Sequence, residues 1–249
     1  MKINSPNINQ YNEVTLSKVS TSNFKANYYF GNTIKNDSFE NLLIKSITNE
    51  NELLKNIATN ADLQALLKAH KLPVVLNVIE LNNLLNNHGK RTEQIAELIT
   101  DNLQTNLRQR VNIQELSQGA KLHDVGKVLI PPSILDKPST LTEEEHKIMD
   151  LHSKIGYLLL KNTNTNKNVL DLVRYHHLNS EMMKEGFYIP SIEVQILNLA
   201  DKYCAMTEDR VYRKALSKEQ TLNILNQEMQ DGKINSLLFN ALKKGIENF

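Results

Sequence analysis

The sequence predicts an all-α fold, and two observations carry that expectation. From about Phe39 onward, Leu and Ile recur at three- and four-residue steps, as in Leu42, Leu43, Ile47, Leu53, Leu54, Ile57, Leu63, Leu66 and Leu67. No segment shows the alternation of a half-buried strand, and no internal repeat is present.

The elements follow in order. Residues 1–45 are rich in Asn, Ser and Thr without a sustained period, and read as a poorly ordered or loosely docked extension. Their one aromatic cluster is "NYYFGN". Residues 46–249 read as one helical domain. Pro73 suits the first position of a helix over "PVVLNVIELNNLLNN", which His88 and Gly89 would close. "TEQIAELITDNLQTNL" is the next helix, and "NIQELSQGAKLHD" is a short one ending at His123–Asp124. Pro131, Pro132 and Pro138 mark an irregular loop. Thr142, with Glu145 three residues on, is a capping signature. "NVLDLVRYHH" carries His176 and His177 at its end. The helix behind Pro190, "IPSIEVQILNLADKYCAMT", is apolar on most faces and should be buried. Two more helices, "SKEQTLNILNQEMQ" and "INSLLFNALKKGI", finish the chain.

Composition narrows the function. The 249 residues hold 29 basic and 28 acidic side chains. No strong field is available to recruit DNA, RNA or an anionic membrane, so phosphate binding must come from a local site. Cys204, the single cysteine, excludes an intrachain disulfide and points to a reducing compartment. No secretory leader and no membrane-length apolar run is seen, so the chain reads as cytoplasmic.

The chemistry concentrates at His123–Asp124, followed by Gly126 and Lys127. An imidazole binds a metal, a carboxylate can bridge two, and an ammonium can hold a phosphate oxygen. A lone His–Asp pair is weak evidence. His88, His152, His176, His177 and Asp201 strengthen it. Each alone is an ordinary side chain: a helix cap, a core-edge histidine, or a carboxylate facing solvent or paired with Arg174 or Arg210. With His123 and Asp124 they make five of the seven histidines and two aspartates on helix ends or apolar faces, the placement from which helical bundles build metal sites. This mixed N/O set suits iron, manganese or zinc better than magnesium or calcium. His70 and His146 lack such context. Ser–His–Asp catalysis has no "GxSxG" elbow here, Cys204 in an apolar helix should be inert, and no Gly-rich phosphate loop is present.

These residues resemble the HD superfamily of metal-dependent phosphohydrolases, and within it the HD-GYP branch. The likeness rests on "LHDVGKVLIPPSILDKPSTLTEEEHKIMDLHSKIGYLLL", "VRYHH", "ILNLADKYCAMTEDRVYRKALSKEQTL" and "NNHGKRTEQIAELI". It implies an HD-domain helical bundle holding two divalent metals, often iron or manganese, and a cyclic dinucleotide substrate, most often cyclic di-GMP. Carried over, His88, His123, Asp124 and Asp201 would form the basic metal set, with Asp124 bridging. His152, His176 and His177 would hold the second ion. Lys127 would contact the scissile phosphate or leaving oxygen, and Arg210 and Arg213 would lie near substrate phosphates. Three departures stand out. The Gly-Tyr-Pro segment is missing from a shortened loop after His177. Cys204 replaces an aspartate. Leu84 stands where some members carry a glutamate for a third metal, so the resemblance implies two ions rather than three. The rival reading is an inactive or weakly active signalling module that binds a nucleotide or a protein partner. A homodimer also stays open.

Overall fold

The computed structural model describes residues 27–28, 50–177, 189–209 and 213–248. Most of the 1–45 extension, the shortened loop after His177 and Arg210 lie outside the described residues.

The described chain is helical. Helices α1 (Glu50–Thr59) and α2 (Ala61–Ala69) open it. α3 (Val78–Asn83) runs through a π-helical turn (Leu84–His88) into α4 (Gly89–Asp101), and the short α5 (Thr105–Arg108) follows. α6 (Ile113–Leu122) leads into a 3₁₀ turn (Val125–Leu129), then α7 (Pro132–Leu135), α8 (Glu143–Met149), α9 (His152–Leu160) and α10 (Lys167–Tyr175). α11 (Ile192–Thr207), α12 (Lys218–Gln230) and α13 (Ser236–Glu247) complete the bundle. Asn27–Tyr28 pairs in parallel with Val75–Leu76, the one strand pair among the described residues. Tyr28 is thus the placed member of the aromatic cluster.

Local chemistry explains the starts. Asn60, Asn77, Asn112 and Ser191 each accept a backbone N–H three residues on, satisfying a donor the helix cannot. Thr142 and Glu145 form the capping box the sequence predicts, and Ser217 with Gln220 forms another.

Two expectations are corrected. Pro73 does not begin a helix. The chain stays extended through Leu76, and the Asn77 N–H donates to Val128 O at 2.9 Å while its side chain caps α3. Nor do His88 and Gly89 end one. Gly89 has helical angles (φ −60°, ψ −42°), and the helix continues to Asp101. A Cβ on Gly89 would lie 2.6 Å from Leu84 O and 2.7 Å from Lys121 O. The missing side chain serves close packing of α4 on α6, not a left-handed stop.

Two apolar clusters form the core. The first gathers α1, α2, α3, the 3₁₀ turn and α9; the second gathers α4, α6, α11 and α13. Leu122 and Val125, which bracket His123–Asp124, belong to the first. Leu199 and Ala200, just before Asp201, belong to the second. The polar residues of interest therefore lie where the clusters meet.

Gly126 fixes that junction. A Cβ there would fall 1.9 Å from His152 O and 2.5 Å from Gly156 N, both backbone atoms that cannot swing aside. Gly126→Ala must push the 3₁₀ turn off α9. The expected cost is about 3 kcal/mol, the upper part of the overpacking range, or roughly 6–12 °C in Tm for a domain of this size. Calorimetry on the variant checks this; an unchanged melting temperature would mean that the contact is looser than described.

Candidate metal centre

α6 ends at Leu122, and His123 caps it. Asp124 leaves helical geometry (φ −95°, ψ 3°), and the 3₁₀ turn that follows brings Lys127 back over it. His152 starts α9, His176 and His177 follow α10, Asp201 sits within α11, and His88 lies at the π turn of the α3–α4 helix. The fold brings all seven side chains together. His123 and His176 are fully buried, and Asp124, His152 and Asp201 nearly so. Burying that many polar groups is costly unless each is paired or bound to an ion.

The two oxygens of Asp124 face different sets. Oδ2 lies 3.5 Å from His88 Nε2 and 3.4 Å from His123 Nε2. Asp201 Oδ1 closes that set, 3.1 Å from His88 Nε2 and 3.5 Å from His123 Nε2. Oδ1 of Asp124 lies 3.3 Å from His152 Nε2 and 3.9 Å from His176 Nε2. His152 Nε2 in turn lies 3.1 Å from the Nε2 atoms of His176 and of His177.

The tautomers are set from behind. His123, His152 and His176 each place Nδ1 on the carbonyl three residues earlier: Ala120, Met149 and Val173, at 2.8, 2.6 and 2.9 Å. With the proton on Nδ1, each Nε2 faces the site and can give its lone pair to an ion, which on His123 would displace a proton. His88 differs, placing Nδ1 on Glu208 Oε2 at 2.9 Å.

Electrostatics separate the two sets. Burial opposes ionisation of Asp124, but Lys127 and His123 outweigh it and hold the carboxyl well below its usual range. Burial opposes charge on Asp201 too, and His123 and His88 overcome it. Burial likewise works against charge on His123, yet Asp124 and Asp201 raise it to about 10. His152 and His176 go the other way. Burial dominates, lowering His152 to about 4 and His176 well below the ordinary imidazole value. One set thus carries carboxylates that compensate positive charge, and the other is held as neutral imidazoles.

These residues fit metal ions. Ligands about 2.0–2.2 Å from a transition metal lie roughly 2.8–3.6 Å apart, from right-angled to tetrahedral geometry, and most Nε2 and carboxylate separations here are 3.1–3.5 Å. His123 Nε2 is fully buried and lacks a hydrogen-bond partner, as expected of an atom that meets an ion. Within these sets His88, His123 and Asp124 form one candidate ligand trio, and His152, His176 and His177 another.

Above the site opens a cleft of about 1330 Å³, bordered by Asp124, Lys127, His177, Asp201 and Arg213. Lys127 Nζ donates to Asp124 Oδ2 at 2.5 Å. Arg213 reaches the cleft wall with its guanidinium donating to the carbonyls of Ala205, Met206 and Lys214. Cys204 is fully buried, and burial pushes its thiol up to about 12, consistent with an inert packing residue. Leu84 is a buried cleft-lining side chain with no donor to offer a third ion.

Among the cleft residues that sequence reasoning did not single out are Arg91, Lys137 and Glu208, and His146, set aside for lack of context, also lines the cleft. Arg91 lies three residues beyond His88 on the same helix, a spacing that could have flagged it. Glu208 carries no local signal, since its partner is 120 positions away.

Residues 85–206 match the HD domain family. The chain is 27% identical over 165 residues to 3'3'-cGAMP-specific phosphodiesterase 1 of Vibrio cholerae, covering 64% of this chain and 38% of that protein. It is 32% identical over 142 residues to the cyclic di-GMP phosphodiesterase response regulator RpfG of Xanthomonas campestris, covering 55% and 37%. It is 29% identical over 159 residues to a cyclic di-GMP phosphodiesterase of Thermotoga maritima, covering 59% and 43%. The chain thus spans only about two fifths of the length of these relatives. The HD-domain match spans 122 of the 249 residues and contains His123–Asp124 and the five other candidate ligands.

Proposed function

We propose that this chain is a metal-dependent phosphodiesterase of the HD-GYP type that hydrolyses a cyclic dinucleotide, cyclic di-GMP foremost. One observation carries the reading: a single buried carboxylate, Asp124, presents one oxygen to each of two ligand sets at the floor of a cleft. The cleft exceeds the ordinary small-molecule range of about 300–1,000 Å³, which suits a dinucleotide. The relatives' names, which include both cyclic di-GMP and 3'3'-cGAMP, support the substrate class.

His88, His123, Asp124 and Asp201 would hold one ion, and His152, His176 and His177 the other, with Asp124 shared. Iron or manganese suits these N/O donors, none of which is a thiolate. Such ions, when bound, supply Lewis acidity at a phosphoryl oxygen and lower the pKa of a water. The chain's own residues do the rest. Lys127 brings a positive charge to the phosphate side of Asp124. Arg213, its guanidinium anchored on carbonyls, would bring a positive charge to the cleft wall, and Arg210 would add charge for phosphates. Residues 46–249 would make up the working domain, with 1–45 as an extension. No helix of the described chain is long and apolar enough to cross a membrane, which accords with a cytoplasmic setting for this reading.

The test is a side-by-side assay of cyclic di-GMP, cyclic GMP-AMP, cyclic di-AMP and a simple aryl phosphodiester, with manganese or ferrous iron. Because the Gly-Tyr-Pro segment is missing, fewer contacts remote from the phosphate are available to favour one base over another. The expected outcome is turnover of more than one cyclic dinucleotide, with weak discrimination among them. No turnover of any, with metals bound, would favour the signalling module that binds a nucleotide or protein partner.

A further inference from the structure

The four histidines with described Nδ1 contacts divide three to one. His123, His152 and His176 sit at helix boundaries and use a carbonyl of their own turn. His88 sits inside a continuous helix, at the end of the π turn that leads into α4. Its Nδ1 meets a side chain instead of a carbonyl of its own turn: Glu208, just past the end of α11.

Glu208 is itself held. Its other oxygen, Oε1, forms an ion pair with Arg91 Nε at 3.8 Å. Arg91 also donates to Thr207 Oγ1 at 2.9 Å, and Thr207 Oγ1 donates to Tyr203 O at 2.8 Å. His88 and Arg91, three residues apart on one helix, therefore grip one carboxylate between them. The Glu208 side chain is only 20% exposed. On the far side of the imidazole, Nε2 faces Asp201 and Asp124.

We propose that Glu208 is the positioning residue for His88: it accepts the Nδ1–H, fixes the ring, and so aims the Nε2 lone pair at the ion held with His123, Asp124 and Asp201. A carboxylate accepts and cannot donate, so it selects the Nδ1–H tautomer and makes the opposite nitrogen a stronger donor to a metal. The inference rests on the metal-site reading above, and it concerns one ion of the two. In the other set, His152 and His176 rest their Nδ1 atoms on backbone carbonyls instead.

The experiment uses the full chain, stripped of metal and titrated with manganese or zinc against a competing chelator. Wild type is compared with Glu208→Ala, Glu208→Gln and Glu80→Gln. Glu80 lines the same cleft and serves as a control for the general field. In Glu208→Ala, one ion should bind about 10–100-fold more weakly, the range for loss of such a partner, while the other is unchanged. Glu208→Gln keeps an acceptor oxygen and should recover part of the loss. In the zinc-loaded protein, ¹⁵N shifts of His88 should report the Nδ1–H form in wild type and lose that single form in Glu208→Ala. Equal weakening of both ions, an equal effect in Glu80→Gln, or unchanged binding in Glu208→Ala would each overturn the role. Failure of wild type to bind any ion is a distinct result, and would overturn the metal reading itself.

Discussion

Asp124→Asn should strip both metals from this protein, taking the content from about two ions per chain to well under one. Two ions sharing one carboxylate predict that result. The substitution keeps the shape of the side chain and removes its charge. An amide has one acceptor oxygen and one NH₂, so at least one ligand set would meet a donor where it needs an acceptor. Breaking a buried ion pair by removing one partner costs about 3–5 kcal/mol, but the site can soften that cost. His123 keeps Asp201 at 3.5 Å, and the neighbouring imidazoles can remain neutral. The variant should therefore fold, with helicity by circular dichroism close to wild type. Asp124→Ala should give the same metal loss with a larger drop in melting temperature. Elemental analysis after purification reads the outcome, and a content unchanged from wild type would rule out a shared carboxylate.

Much of this arrangement was legible in the sequence. The leucine and isoleucine steps mark helices because burial on one helical face demands that spacing, and the Thr142–Glu145 box marks a start because helix N–H groups need acceptors. The seven ligand candidates stood out because buried or near-buried histidines and aspartates are costly without a purpose. The rest depended on contacts that no local pattern encodes. Gly89 reads as a stop, since glycine often ends helices, but only the approach of Lys121 O shows that the chain needed the missing Cβ for packing. Pro73 reads as a helix start, yet an N–H to Val128 O holds the chain extended for four more residues. Arg213 reads as a phosphate ligand, and in the structure carbonyls of three residues hold its guanidinium. Glu208 meets His88 only through tertiary structure.

The second large effect is expected at Lys127, and it separates chemistry from metal binding. Lys127 Nζ lies 2.5 Å from Asp124 Oδ2, and the side chain is 16% exposed at the cleft. Two roles fit that position. In one, the ammonium only balances Asp124; ions bound on both sides of the carboxylate would then make it redundant. In the other, it supplies charge to the phosphate as the bond to the leaving oxygen breaks. A preorganised donor of this kind is worth about 2.7–4 kcal/mol in the transition state, or a factor of roughly 10² to 10³ in kcat. Lys127→Met, which keeps most of the apolar stem, should retain both metals and lose that factor in kcat, with KM little changed. An aryl phosphodiester adds a further cut. Its leaving oxygen needs little help, so the loss on that substrate should be much smaller if Lys127 acts on the leaving group, and equal if it acts on the non-bridging oxygens. Loss of metal in the variant would instead make Lys127 a structural partner of Asp124. Full activity with metal retained would remove it from the chemistry altogether.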